Sequence, residues 1–356
     1  MRVEQVGGAA SAPRARRWAI ALQVVASLLI LALLLRESDP HAVGQALARV
    51  SWGWLALALL VKAAALTLHE IRLWWLLRTS HPCSMPRVLG IGFLAGLINV
   101  VLPIRAGDLA AIFLLRQEQR VPGPVALSAV GLLALLEAAA LGVFLVFIFG
   151  TRLLFWERAL GFELVHTAFS TVSIATLVGV GAVLLLGGLG RMVVRREEQV
   201  QEAQGFAQRL RAGVGSALAH SGGSLGRPGA LVTNLALAMG DAGLFLASYA
   251  ILVRAMGLSV PSPWTAAGVV MALTAVASLV LPPSLGAGTA AASVFGLGLL
   301  GVDEPTAIAF AALVWAVGNL PALILGLPPL LGRLGTLAGL LTGVADAPRE
   351  PGPPTG

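Results

Sequence analysis

The chain has 356 residues, 57% of them hydrophobic and only 12% charged, whereas soluble domains carry about 25% charged residues, so a water-facing globular surface is excluded. The net charge of +7 comes almost wholly from arginines placed between apolar runs, with Lys62 the only lysine; that pattern excludes a nucleic-acid interface, which gathers its charge on one face, and reads as a membrane-topology signal. The single cysteine, Cys83, excludes an intramolecular disulfide framework and a cysteine-based metal cluster.

Apolar runs long enough to span a bilayer, or nearly so, follow one another along the chain. They are Trp18–Leu35, Trp52–Leu76, Val88–Pro103, Val125–Gly150, Leu164–Gly190, Gly229–Val253, Trp264–Leu281 and Pro305–Leu327, with shorter pieces at Leu109–Leu115 and Leu285–Leu300. The expected fold is an all-α integral membrane protein of about eight transmembrane helices plus two broken or re-entrant segments. Residues 1–17 form a basic N-terminus. The run that follows is longer than a signal-peptide core and is expected to stay as an anchor. Residues 18–190 make the first membrane half, 191–228 a polar connector, 229–327 the second half, and 328–356 a tail. The end of that tail, from Ala345, is Pro/Gly-rich and expected to be disordered.

With the N-terminus in the cytoplasm, seventeen of the basic residues fall on the cytoplasmic side and five (Arg36, Arg49, Arg152, Arg158 and Arg254) on the outside. This bias predicts both termini inside a cell membrane. It requires the piece after Pro103 to return to the cytoplasm and the piece after Pro282 to return to the outside.

Two positions half a chain apart share a pattern. Residues 102–107 read Leu-Pro-Ile-Arg-Ala-Gly and residues 281–286 read Leu-Pro-Pro-Ser-Leu-Gly. Both fit L-P-x-x-x-G, both follow an apolar helix, and in the expected topology the two helices run in opposite directions, which points to an inverted repeat. Pro103, Gly107, Pro282 and Gly286 mark structural breaks near 99–108 and 281–289. A proline removes a helical hydrogen bond and glycine admits unwound backbone; in a membrane the freed groups need protein or a water-filled cavity.

Ionisable residues at membrane depth are functional candidates, since each is costly there. Arg105 and Asp108 are three apart and could pair, or Arg105 could hold a headgroup phosphate through its planar fork. Asn99 precedes the first break, and Ser284 lies in the second. Glu137 stands mid-span in an apolar helix and is expected to face a cavity. Lys62 and His69 share a face of the second span, while Glu70 and Arg72 are expected at the membrane interface. Asn234, Asp241 and Ser248 recur every seven residues, a stripe that must face protein or water; helix–helix hydrogen bonding competes with a binding role there. Gly92 and Gly96 read as helix packing. No P-loop, H-E-x-x-H or G-x-S-x-G is present, and the five histidines lack metal-ligand spacing, so neither an enzyme nor a cofactor is expected.

The segment Asn99-Val-Val-Leu-Pro-Ile-Arg-Ala-Gly-Asp108 resembles the N-x-x-L-P-x-R-x-G-[DE] signature of the flippase-like family named for the transmembrane region of lysylphosphatidylglycerol synthase. Arg72, Trp74 and Trp75 resemble the Arg/Trp end of its upstream span, Leu281–Gly286 its later L-P-x-x-x-G, and Asn319–Pro321 its following proline-containing helix. The Glu-Arg pair common in that family is replaced by Gly131 and Leu132, and Glu137 is kept. The resemblance implies movement of an amphiphile with an anionic or zwitterionic headgroup between leaflets, without synthase activity. A membrane lipid or polyprenol-linked lipid would be the partner. The alternatives are a secondary transporter of a small solute and a non-transporting subunit that joins envelope-biosynthesis enzymes; no nucleic acid is expected.

Overall fold

The structure is a computed structural model that describes residues 39–102, 106–151, 228–277 and 286–341, with Val25, Leu29, Ala32, Arg36 and scattered positions between Ser170 and Leu225. The described residues are helical throughout, with no strand. The elements are α1 (Pro40–Ala48), α2 (Trp52–Arg78), α3 (Met85–Val101), α4 (Ala106–Gln119), α5 (Gly123–Thr151), α6 (Pro228–Ala255), α7 (Pro263–Ala277), α8 (Ala287–Gly298) and α9 (Glu304–Leu341). The expected spans Trp18–Leu35 and Leu164–Gly190, residues 103–105 and 281–285 of the two breaks, most of the connector and residues 342–356 lie outside the described residues.

Helices α2, α5, α6 and the Glu304–Arg333 part of α9 are each long and apolar enough to cross a membrane. In hydrocarbon every backbone N–H and C=O must be satisfied within the segment, and a helix does this locally. The remaining apolar helices are shorter. α3 has 17 residues and α4 has 14, about 26 and 21 Å at 1.5 Å per residue, against a hydrocarbon core of about 30 Å.

These short helices form two hairpins. At one end of the first, Asn99 near the end of α3 meets the start of α4, its Oδ1 accepting from the Gly107 N–H at 2.8 Å. At the other end, the Ser84 N–H before α3 donates to Gln119 Oε1 at the end of α4. The chain therefore enters and leaves this hairpin on one side. In the second hairpin, Gly296 of α8 packs on Val269 and Leu273 of α7. The loops before α7 and after α8 (Leu258, Ser259, Gly301, Val302) share one groove with Arg49. The first hairpin opens at the end of the molecule where α2 finishes, with Arg78, Arg87, Arg116, Arg120 and Arg333. The second opens at the opposite end, where the Ser51 N–H before α2 donates to the Ala255 carbonyl closing α6.

Helix α9 packs against α1, α2, α3, α6 and α8. Asp303 caps it, accepting from the Thr306 N–H at 3.1 Å; hydrogen bonding from the Thr306 hydroxyl first, and then from its N–H, holds the Asp303 carboxyl below its usual range. The expected span ended at Leu327, yet the helix runs to Leu341 through Pro321, Pro328 and Pro329. Each proline removes one donor, and packing against the neighbouring helices keeps the helix continuous. Asn319 donates to the Trp315 carbonyl, and Arg333 donates to the Pro329 carbonyl while forking onto Glu118 of α4. Close approach of α9 to α3 uses small residues: Gly326 lies under Phe93 and Leu97, and Gly96 faces Ala322.

Two apolar cores result, one about the first hairpin (Leu76, Ile91, Leu115, Leu133, Ala238) and one about the second (Ala58, Leu252, Val270, Leu297, Phe310). The connector joins the first through Leu225, and its His220 shares a 2.7 Å hydrogen bond with Ser80. Burial and the neighbouring His81 lower the His220 pKa from the ordinary 6.5 to about 4.

Two outcomes are expected. Gly107 is pressed onto the Ala95 backbone, whereas Gly131 faces open space. Gly107→Ala should cost about 1–3 kcal/mol in detergent unfolding, and Gly131→Ala should be neutral or gain up to about 1 kcal/mol; equal effects would contradict the hairpin packing. For His220 the folded pKa lies below the unfolded one, so its contribution is complete above about 6.5 and is lost as pH falls towards about 4. Melting temperature should drop across that window, and His220→Gln should flatten the drop.

Candidate functional site

Between the two cores lies a layer of charged side chains, and it begins with a demand of electrostatics. Asp241 stands near the middle of α6 and is buried; a carboxylate there needs a cation. Arg72 of α2 supplies it: Arg72 Nη1 donates to Asp241 Oδ2, and the arginine side chain is only 1% exposed. The expectation that Arg72 and Glu70 sit at the interface is corrected by the structure. Arg72 lies inside the helix bundle, and Glu70 is buried beside Gly92, where any Cβ would overlap its carboxylate. Gly92 is therefore the space that admits a charge, beyond its reading as packing alone.

His69 extends the layer. Its Nδ1 lies 3.4 Å from Asp241 Oδ2 and 3.7 Å from Glu137 Oε2. Glu137 is the midpoint of α5, yet its side chain is 41% exposed. In a helix this apolar, such exposure means that it faces a cavity. Lys62, two turns from His69, reaches over the Phe245 ring with Nζ 3.4 Å from its centroid, a cation–π contact. The other stripe members are accounted for locally: Asn234 and Ser248 are buried and donate to the Ala230 and Phe245 carbonyls.

The cavity has two lobes. The first, about 340 Å³, gathers six polar side chains, Lys62, His69, Asn99, Asp108, Glu137 and Asn319, on a wall otherwise apolar (Leu66, Val100, Leu133). Asp108 is held by the Asn99 Nδ2 donor at 2.9 Å. The second lobe, about 690 Å³, is walled by Phe245, Tyr249, Met271, Thr274, Thr289 and Trp315. Lys62, Glu137, Gly318 and Asn319 line both, so the lobes meet at that seam. Gly286, with φ of 69°, sits where a Cβ would strike the Trp315 indole.

The structure thus brings Asn99, Asp108 and Glu137 to one lobe, places Asp241 behind them in the ion pair, and sets Gly107 and Gly286 at the starts of α4 and α8. Arg105, Pro103, Pro282 and Ser284 lie outside the described residues. Sequence reasoning missed the partnership of Arg72 with Asp241 and the aromatic lobe; the signal for the first was the need of an intramembrane Asp for a cation.

The family model described as lysylphosphatidylglycerol synthase TM region matches residues 20–326. The chain belongs to that family. No curated protein matches it. Membership in the lysylphosphatidylglycerol synthase TM family gives a membrane lipid-related role to a multi-pass helical protein, and the charged layer lies within the matched residues.

The layer's stability can be read directly. Arg72→Leu or Asp241→Leu alone leaves one buried charge, and each should cost about 3–5 kcal/mol. The double variant should recover most of that loss in the same denaturation assay. Additive losses would show that the pair is not what holds α2 to α6.

Proposed function

We propose that the protein is a lipid translocase that carries an amphiphile with an anionic or zwitterionic headgroup between leaflets, without covalent chemistry. The observation that carries this reading is the junction, at Lys62, Glu137, Gly318 and Asn319, of a lobe that holds His69, Asn99 and Asp108 with one walled by Phe245, Tyr249 and Trp315. A headgroup cannot cross hydrocarbon unaided, and its tails gain nothing in a polar site; a cavity with both characters serves the two parts of one molecule. Lys62 and His69 suit a phosphate, and Glu137 with Asp108 suits an amine.

The two hairpins, which open at opposite ends of the molecule, support an inverted repeat and an alternating opening of the cavity. No nucleotide-binding motif is present in the sequence, so transport in this reading is passive, ion-coupled or driven by a partner. The arginine-rich end is proposed to face the cytoplasm of a cell membrane.

Proteoliposomes carrying fluorescent phospholipids of several headgroups should exchange lipid between leaflets faster than protein-free vesicles. Glu137→Gln and Lys62→Met should each slow exchange by roughly tenfold, about 1.4 kcal/mol of barrier, with melting temperature unchanged. Acceleration of no phospholipid or polyprenol phosphate would reject the reading. For orientation, in a Cys83→Ser background, an impermeant thiol reagent should label Gly44→Cys from outside intact cells and leave Gln117→Cys unlabelled; the reverse pattern inverts the topology.

A further inference from the structure

The arginine-rich end has a second recess, and it shares no lining residue with the central cavity. This groove of about 500 Å³ runs between the end of α4 and the start of α5, with Phe113, Arg116, Gln117, Arg120 and Gly123 on its wall. We propose that it binds the headgroup of an anionic phospholipid of the surrounding leaflet, with Arg116 and Arg120 as the phosphate contacts. The proposal rests on the chain being a membrane protein and is independent of any lipid movement through the centre.

Charge is the first reason. Glu118, the carboxylate between the two arginines in sequence, is taken by the bidentate fork of Arg333 at 2.7 and 2.8 Å. Among the described residues, neither Arg116 nor Arg120 has an ion pair or a side-chain hydrogen bond. Two adjacent guanidinium groups thus stand with their charge unanswered on the wall of one groove. Guanidinium offers a planar fork that matches phosphate oxygens.

Shape is the second reason. Arg116 leans across the groove towards α5, where Gly123 makes room: a Cβ at Gly123 would lie 3.3 Å from Arg116 Nε.

The third reason separates a lipid from a free anion. Leu109, Phe113, Arg116 and Gln117 are exposed and recur at helical spacing along α4, and the exposed Arg120 follows just past its end, with a φ of 55°. The apolar members come first and the arginines last. On α5, Leu127 is 60% exposed one turn beyond Gly123. An apolar strip therefore leads from membrane depth up to the arginines, as acyl chains lead to a phosphate. Arg78, stacked on Trp74 and Trp75 at the same end, marks the level at which amphipathic side chains meet headgroups.

Native mass spectrometry of the full chain in detergent, with dioleoylphosphatidylglycerol and dioleoylphosphatidylcholine as probes, tests this. Wild type should retain at least one more phosphatidylglycerol than Arg116→Gln/Arg120→Gln, with affinity for that lipid falling roughly tenfold in the variant. Phosphatidylcholine retention should be the same in both, and Arg116→Lys/Arg120→Lys should keep part of the binding. Both side chains are exposed, so melting temperature should hold; if the double variant is destabilised, Arg120→Gln alone is read by the same criteria. Equal phosphatidylglycerol retention in wild type and variant would overturn the site, as would equal preference of wild type for the two lipids. Displacement of the lipid by inorganic phosphate as readily as by dihexanoylphosphatidylglycerol would make it a phosphate site and overturn the lipid assignment.

Discussion

A carboxylate in the middle of a membrane helix has to be answered by a positive charge, and Asp241 with Arg72 is that answer here. The pair joins α2 to α6 across 169 positions of sequence. Because each group is costly alone in a low-dielectric interior, the pair fixes both the register and the rotation of the two helices. His69 and Glu70 then follow on α2, Glu137 is met from α5, and Gly92 of α3 is drawn close enough that only a hydrogen fits beside the Glu70 carboxylate. The cavity lies along the edge of this layer, so its polar wall is a by-product of satisfying one buried acid.

Family membership and geometry bear on different levels. The family places the chain in the membrane with a lipid-related role, and the geometry separates the groups that hold the helices together from those that face open space. Arg72 and Asp241 belong to the first set, Lys62, Asp108 and Glu137 to the second. This division matters for reading any variant: a change at Asp241 acts on folding first, while a change at Glu137 acts on the cavity.

Much of the architecture was legible because hydropathy is additive along one helix. The expected run at Trp52 begins where α2 begins, and the expected run at Val125 falls within α5. What escaped is what depends on two helices at once. Arg72 sits near the end of an apolar run and looks interfacial until its partner on α6 is placed beside it. The aromatic lobe draws Phe245, Trp315 and Thr289 from three different helices, and no one-helix periodicity predicts that meeting. Helix α9 also outruns its expected end. Proline is a stop signal by local rules, but α9 is held on both sides of its prolines by α3 and by the Arg333–Glu118 fork, and that support is invisible until the helices are packed.

The same three prolines give α9 an uneven mechanical character. Where Pro321, Pro328 and Pro329 stand, the carbonyls of Val317, Ile324 and Leu325 lose their usual axial donors, so resistance to bending drops at two fixed heights along the rod. The upper joint coincides with Gly318 and Asn319, which form the seam between the lobes. The lower joint lies where Gly90 of the first hairpin touches Pro329. A helix clamped by one hairpin at its compliant stretch and bordered by the other above it behaves as a flexure. By helix mechanics, any bending of α9 would concentrate at these two heights and leave the segments between them straight.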